Sequence, residues 1–345
     1  MSLRDEILEQ PDAARRLLER GTPVIERIAA AIRARPPRFA LIAARGSSDH
    51  AALYAQYLFG VRNHLAVALA TPSIFTLYAA RPRLTDALVL AISQSGRSPD
   101  IVAVVEEARR QGAPTIAITN DAASPLAGAA ADVVELHAGP ERATAATKTY
   151  TGQLLVAAML SLALEPGGTD EQHELRSVPQ LMEEALAAEQ SVQAVAAGHA
   201  ERSRGIVLGR GYEYATAREW ALKLQELAQL PALPFSAADF EHGPLALIEP
   251  GFPILALAPA GPTLDAQLPL LRRLREEHDA RLLVVSDSAD ARELDEGLTL
   301  PAAVPSWLSP LISILPGQLY AYHLTRGRGL DPEVPRSISK VTRTR

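Results

Sequence analysis

Apolar runs of strand length alternate with segments of helical spacing along most of this chain. The strand candidates are "FALIAA" from Phe39, "LAVALA" from Leu65, "ALVLAI" from Ala87 and "TIAITN" from Thr115. Between them lie helix candidates over Asp49 to Leu58 and Pro99 to Gln111. The pattern resumes with "IVLGRG" from Ile206, a helix over Ala215 to Gln229, "PILALAP" from Pro253, a helix over Leu264 to His278, and "RLLVVSD" from Arg281. Continuous apolar runs suit strands buried on both faces, and parallel strands need crossovers long enough to hold a helix. The pattern therefore predicts parallel sheets covered by helices.

The alternation occurs twice at one offset. Arg45-Gly46 and Arg210-Gly211 each follow a strand and stand 165 residues apart; Gly96, ending "LVLAISQSG", and Gly261, ending "ILALAPAG", stand at the same separation. Two landmarks at one spacing indicate a duplicated α/β unit. Before the first copy, residues 1 to about 35 read as short helices broken at Pro11 and around Gly21-Thr22-Pro23, closed by Pro36-Pro37. A longer helix is expected after Lys148, then a break at "EPGGTDEQ" and a helical stretch to about Gly198. The resulting organisation is an arm over 1–37, one α/β domain over 38–165, a helical linker over 166–200, a second domain over 201–330 and a tail over 331–345.

Several function classes are disfavoured by composition. A net charge of −6 offers no field for nucleic acid. The sequence has no cysteine, so disulfides, thiolate metal sites and thiol catalysis are absent from it. The start "MSLRDEILEQ" lacks the basic end and apolar stretch of a signal peptide, and "LLVAAMLSLAL" is too short to span a bilayer. A cytoplasmic protein without nucleic-acid or membrane partners is the expectation.

The stretch "SQSGRSPD", Ser93 to Asp100, holds more polar groups than a turn needs, between a buried strand and a helix. Helix N-termini beyond the carboxyl ends of parallel strands suit a phosphate, and Ser93, Ser95 and Ser98 add hydroxyl donors. Arg45-Gly46-Ser47-Ser48 repeats that chemistry after the earlier strand, whereas the second copy has "APAGPT". A plain Ser/Asp N-cap with a glycine turn is the alternative for either loop. No G-x-x-x-x-G-K-[ST] or G-x-G-x-x-G pattern occurs, so a small phosphorylated ligand fits better than ATP or NAD. On "YATAREWALKLQELAQL", Ala217, Trp220, Ala221, Leu224, Leu227 and Ala228 form an apolar stripe. Glu219, Lys223 and Glu226 cluster opposite it, as a functional group or as a solvated face with a Glu219–Lys223 pair. His242 stands between a polar turn and a Gly-Pro before an apolar strand candidate, and Lys340 lies in what ordinarily would be a frayed tail.

Together "SQSGRSPD", "AATKTYTGQL", "LGRGYEYATAREWALKLQE", "FEHGPLALIE", "AYHL" and "PRSISKVT" resemble the sugar isomerase (SIS) family over residues 38 to 345. The closer resemblance is to the isomerase half of glucosamine-6-phosphate synthase and to stand-alone type II glucosamine-6-phosphate deaminases. It implies an α/β fold of two tandem SIS domains, each a parallel sheet flanked by helices in a Rossmann-like or flavodoxin-like three-layer sandwich. It also implies that Ser47, Ser48, Ser93, Gln94, Ser95 and Ser98 form the sugar-phosphate pocket. Glu226 resembles the base that moves a proton between C1 and C2, and Lys223 a lysine that helps proton transfer at the sugar hydroxyl. His242 resembles a ring-opening histidine that reaches the neighbouring subunit's site, which implies a homodimer, and Lys340 the tail lysine that folds over the site.

The chain departs from the family at two positions. Ala146 stands where the family has a hydroxyl before Thr-Lys, and Arg45 where the synthase has a cysteine. With about 35 residues before the first copy and no cysteine, the glutamine-hydrolysing domain of the synthase is not expected. The expected reaction, without metal or organic cofactor, is glucosamine 6-phosphate plus water to fructose 6-phosphate plus ammonia. Isomerisation or deglycation of another sugar phosphate, such as galactosamine 6-phosphate or a fructosyl amine, is a related alternative. A non-catalytic sugar-phosphate sensor is the alternative from another class. Such sensors usually carry a helix-turn-helix domain and have no need of Glu226, His242 and Lys340 together.

Overall fold

The computed structural model describes residues 2–165 and 168–340. It contains two five-stranded sheets, each in its own unit. Among the described residues, one unit comprises Asp12–Glu141, Ala146–Arg176, Ser339 and Lys340; the other comprises Ser177–Ile338 with Arg142–Ala145 and residues 2–11.

In the first of these units the strands are β1 (Phe39–Ala43), β2 (Val67–Leu69), β3 (Ala87–Ile92), β4 (Thr115–Thr119) and β5 (Asp132–Glu135), in the order β2-β1-β3-β4-β5. Every pairing is parallel; Ile42, for example, stands beside Leu90. The six residues of β3 are all buried, as a central strand covered on both faces requires. Val89, Ala91, Ile101, Val104 and Val105 pack in one core, which fixes the Pro99–Arg110 helix against the sheet. The Lys148–Leu164 helix is buried through Leu162 and packs on the Ser47–Arg62 helix; its apolar character all round fits that position.

The other unit repeats this plan. Its strands are β6 (Gly205–Gly209), β7 (Ala232–Ser236), β8 (Pro253–Leu257), β9 (Arg281–Ser286) and β10 (Glu296–Thr299). Their order, β10-β9-β8-β6-β7, is the same winding, and again all pairs are parallel. In both sheets the winding direction reverses between the first and third strands, where ligands of open α/β sheets bind beyond the carboxyl ends. Among the described residues no helix is long and apolar enough to cross a membrane.

Two local expectations are corrected and one open alternative is decided. The arm does not break at Gly21-Thr22-Pro23, because one helix runs over Gln10–Ala34 with Pro23 inside it. Interior proline costs about 3 kcal/mol. Buried Leu17, Ile25, Ile28, Ala29 and Ile32 outweigh it, at roughly 1.5–3 kcal/mol for each large apolar side chain. The segment after His242 is a 3-10 turn over Pro244–Leu247, since Pro244 removes a ladder donor and Gly243 turns the chain at φ 137°. Finally, Glu219 and Lys223 do not lie on a solvated face: both are buried, because the Glu213–Glu226 helix is covered on that side too.

Candidate functional site

The hydroxyl-rich loops lie at the carboxyl ends of β1 and β3, on either side of the point where the winding reverses. Gly46, at φ 56°, turns the chain from β1 into the Ser47–Arg62 helix, and Ser48 is buried in its first turn. After β3, Ser93 Oγ accepts from Gly96 N at 3.2 Å and Ser95 Oγ from Arg97 N at 3.3 Å. A hydroxyl that accepts still has its own proton to donate. Ser98 occupies the N-cap position of the Pro99–Arg110 helix without a side-chain cap bond. The simple N-cap account of this loop is thus not what the molecule uses. Gly96 cannot carry a side chain: its φ is 60° and an added Cβ would lie 2.1 Å from Ser124 Oγ.

Arg45 joins the two loops. Its Nε donates to Asp100 Oδ2 at 2.9 Å, and the Asp100 side chain is entirely buried at the start of the Pro99–Arg110 helix. Arg97, on the same rim, is held by Asp121 at 3.1 Å. Gln94 is half-buried, and its carbonyl accepts from Asn120 N at 3.0 Å, which fixes the backbone beneath the loop.

In the other unit, the Glu213–Glu226 helix carries a buried chain of charge. Lys223 Nζ lies 3.4 Å from Glu219 Oε1 and donates to Glu226 Oε2. Glu219 and Lys223 are sealed from solvent, whereas the Glu226 side chain keeps 22% of its surface. Burial disfavours the ammonium of Lys223, but Glu219 and Glu226 more than offset this and hold its pKa above the ordinary lysine value. Lys223 therefore keeps its charge at neutral pH and serves as a fixed hydrogen-bond donor, beside a carboxylate that is partly exposed. At the other end of the helix, burial pushes the Glu213 carboxyl up, although Ser309 Oγ and Ser313 Oγ each donate to it at 2.6 Å.

His242 lies exposed in the turn after β7, its backbone N–H donating to Asp239 O at 3.0 Å. Lys340 is held by a partner rather than frayed, and its side chain is half-buried. Its Nζ donates at 2.6 Å to Glu141 Oε2 in the unit that carries the serine loops. Val341 to Arg345, also part of the expected tail, lie outside the described residues. The structure thus gathers Ser47, Ser48, Ser93, Gln94, Ser95 and Ser98 at one sheet's switch point, and Lys223 with Glu226 on one helix. Asp100, Glu141 and Glu213 were not found from sequence. Each is a lone acid in a segment whose periodicity carries no sign that it is buried. Among the described residues no group of three or more His, Cys, Asp or Glu is placed to hold a metal ion.

These features define a duplicated, doubly wound α/β protein with a hydroxyl-lined switch point in one copy. The chain belongs to the SIS domain family, whose model matches residues 36–163 and 200–325. It is 37% identical over 298 residues to glutamine–fructose-6-phosphate aminotransferase [isomerizing] of Methanothermobacter thermautotrophicus, covering 86% of this chain and 50% of the relative. The corresponding Thermococcus kodakarensis protein is 34% identical over 97% of this chain and 56% of its own. The chain therefore spans about half the length of these curated relatives. Among solved structures, a Silicibacter pomeroyi protein provisionally called a phosphosugar isomerase superposes with TM-score 0.87 at 36% identity, over 96% of this chain and all of that one. The C-terminal domain of glucosamine-fructose-6-phosphate aminotransferase from Francisella tularensis superposes with TM-score 0.85 at 25% identity, over 96% and 98% of the two chains.

Proposed function

We propose that this protein is an amino-sugar-phosphate deaminase that converts glucosamine 6-phosphate and water to fructose 6-phosphate and ammonia. The observation that carries the reading is the Lys223–Glu226 pair: a reachable carboxylate beside a sealed ammonium, on a helix of an SIS-family chain. A positioned carboxylate is suited to abstract a carbon acid's proton and return it one atom away. In the reading, Ser47, Ser48, Ser93, Gln94, Ser95 and Ser98 hold the 6-phosphate by hydroxyl, amide and main-chain donors. His242 assists opening of the sugar ring. Glu226 takes the proton from C2 of the open aldose amine and delivers it to C1, while Lys223, through its bond to Glu226, helps proton transfer at the sugar oxygen. The resulting C2 imine adds water and expels ammonia, leaving the ketose. Lys340 closes over the bound sugar. With free ammonia, deamination is the favoured direction.

The test is to incubate purified protein with glucosamine 6-phosphate, without glutamine, and to measure ammonia and fructose 6-phosphate. Equal amounts of the two products are expected. Ala146 is half-buried where the family has a hydroxyl, so one substrate contact of the family is missing here and galactosamine 6-phosphate belongs in the same assay. No ammonia from either sugar contradicts the proposal. His242, exposed on its turn, is assigned to the site of a neighbouring subunit in a homodimer. Hybrids of inactive Glu226→Gln and His242→Ala chains should regain part of the activity, because one of the two sites then holds both residues. Hybrids that form and stay inactive would assign each site to a single chain.

A further inference from the structure

Glu141 lies between β5 and the Lys148–Leu164 helix, and its side chain is wholly removed from solvent. Its Oε1 accepts from Thr147 N and Thr149 N, both at 3.0 Å. Its Oε2 accepts from Thr149 Oγ1 at 2.8 Å and from Lys340 Nζ at 2.6 Å. A carboxylate has about four lone-pair sites, and here all four have a donor. Three of those donors come from the turn that opens the Lys148–Leu164 helix, so the carboxylate is fixed by its own neighbourhood. The fourth comes from a residue 199 positions further along the chain.

The approach to that fourth donor is weakly held by packing. Arg336, Ser337, Ile338 and Ser339 are exposed, and Ser337 adopts φ 63° in the left-handed region. Apolar burial therefore contributes little to keeping this stretch in place. A buried anion has the opposite need. Desolvation disfavours its charge, and Lys340 together with the bonds from Thr149 and Thr147 overcomes that cost and keeps the carboxyl below its ordinary range. Removing the lysine leaves an uncompensated buried charge.

We propose that Glu141 is the seat of the C-terminal tail, a fixed buried acceptor that draws Lys340 to the start of the Lys148–Leu164 helix. In the reaction proposed above, on which this assignment rests for its functional consequence, Glu141 is a positioning residue. It touches no substrate and acts by setting where the Lys340 amine stands, in the unit that carries Ser47, Ser48, Ser93 and Ser95.

The experiment reads the tail independently of the reaction. Full-length protein is treated briefly with trypsin, and cleavage after exposed Arg336 is followed by mass spectrometry. Glu141→Gln and Lys340→Met should each raise the cleavage rate about tenfold, with the double variant no faster than either single one. Lys340→Arg should restore most of the protection, since it keeps the charge and the donors. Thr149→Val removes the second donor to Oε2 but leaves both charges of the ion pair in place, and should leave cleavage near the wild-type rate. If Glu141→Gln fails to fold, Lys340→Met alone still decides the matter. Cleavage within about twofold of wild type in Lys340→Met, or additive effects in the double variant, overturns the seat. Turnover of glucosamine 6-phosphate is the second readout: Glu141→Gln should lower kcat as much as Lys340→Met does, with the double variant equal to both. A protein inactive on sugar phosphates whose cleavage pattern follows the first set of results would retain the seat and lose the reaction. An active protein with Glu141→Gln at wild-type kcat would retain the reaction and remove the positioning role of Glu141 in it.

Discussion

The two sheets share one winding order and one crossover plan, yet equivalent positions carry different chemistry. After β1 and β3 the chain presents serines on tight turns; after β8 the equivalent turn reads "APAGPT" and offers one hydroxyl, Thr263. The glycines behave oppositely. Gly46 and Gly96 have φ of 56° and 60°, and their counterparts Gly211 and Gly261 have φ of 61° and 140°. The fold needs the glycines in both copies and the hydroxyls in neither. A second contrast lies in the first crossover helices. Ser47–Arg62 buries Ser48 and His50 among alanines, leucines, Tyr54 and Phe59, whereas Glu213–Glu226 buries three charged-type side chains, Glu213, Glu219 and Lys223. Buried charges without solvent cost stability unless they are paired. In the proposed function one copy holds the anion and the other holds and moves the proton.

The largest expected effect falls on the second copy. Glu226→Gln keeps shape and reach but loses basicity, so kcat should fall by about 10²–10⁴ with KM within a few-fold. Glu219 is no mild control for this measurement, because it is sealed beside Lys223. Exposed Glu276→Gln is the suitable one and should leave both constants unchanged. A kcat near wild type in Glu226→Gln would remove the chemical distinction between the copies.

Next in size is the first copy's response. In the proposed function the phosphate binds but does not react, so Ser93→Ala with Ser95→Ala should cost the ground and transition states equally. At roughly 1.5–3 kcal/mol for each hydrogen bond to a charged group, KM should rise at least tenfold with kcat little changed. A rise below about threefold would place the phosphate elsewhere.

Much of this contrast was legible in the sequence, and the remainder has physical causes. Central strands such as "ALVLAI" were readable because both faces are buried, and the 165-residue offset revealed the duplication. The edge strands β5, β7 and β10 were not, because Asp132, Pro234 and Glu296 break the apolar run where one side needs no partner. Helical spacing placed Glu219, Lys223 and Glu226 on one face correctly. It could not say that a second layer covers that face, since burial there is decided by distant segments. For Glu141, the partner lies 199 residues away, beyond any local pattern.

Two stability measurements sharpen the contrast further. Lys223→Met leaves the buried Glu219 carboxylate without its cation and should cost about 3–5 kcal/mol, read as a lower midpoint in urea. An unchanged midpoint would mean that the charge chain carries no structural weight. Glu213→Gln should act in the other direction. The folded-state pKa of Glu213 is raised, so its contribution is fully present below the ordinary glutamate value and is lost as pH rises through the folded value. The variant escapes that loss. It should gain on the order of 1 kcal/mol over wild type near neutral pH, with the advantage vanishing toward pH 4. A constant difference across that range would contradict the assignment.

The division of labour between the copies is tested most directly by proton exchange in heavy water. Fructose 6-phosphate is supplied at a series of concentrations, and deuterium entering C1 is followed by NMR for wild type, Glu226→Gln and the Ser93→Ala, Ser95→Ala double variant. The account predicts that Glu226→Gln loses the saturated exchange rate while keeping its half-saturation concentration, and that the serine variant keeps the rate while its half-saturation concentration rises. Normal exchange in Glu226→Gln, or a serine variant that loses rate at saturation without weaker binding, would contradict it.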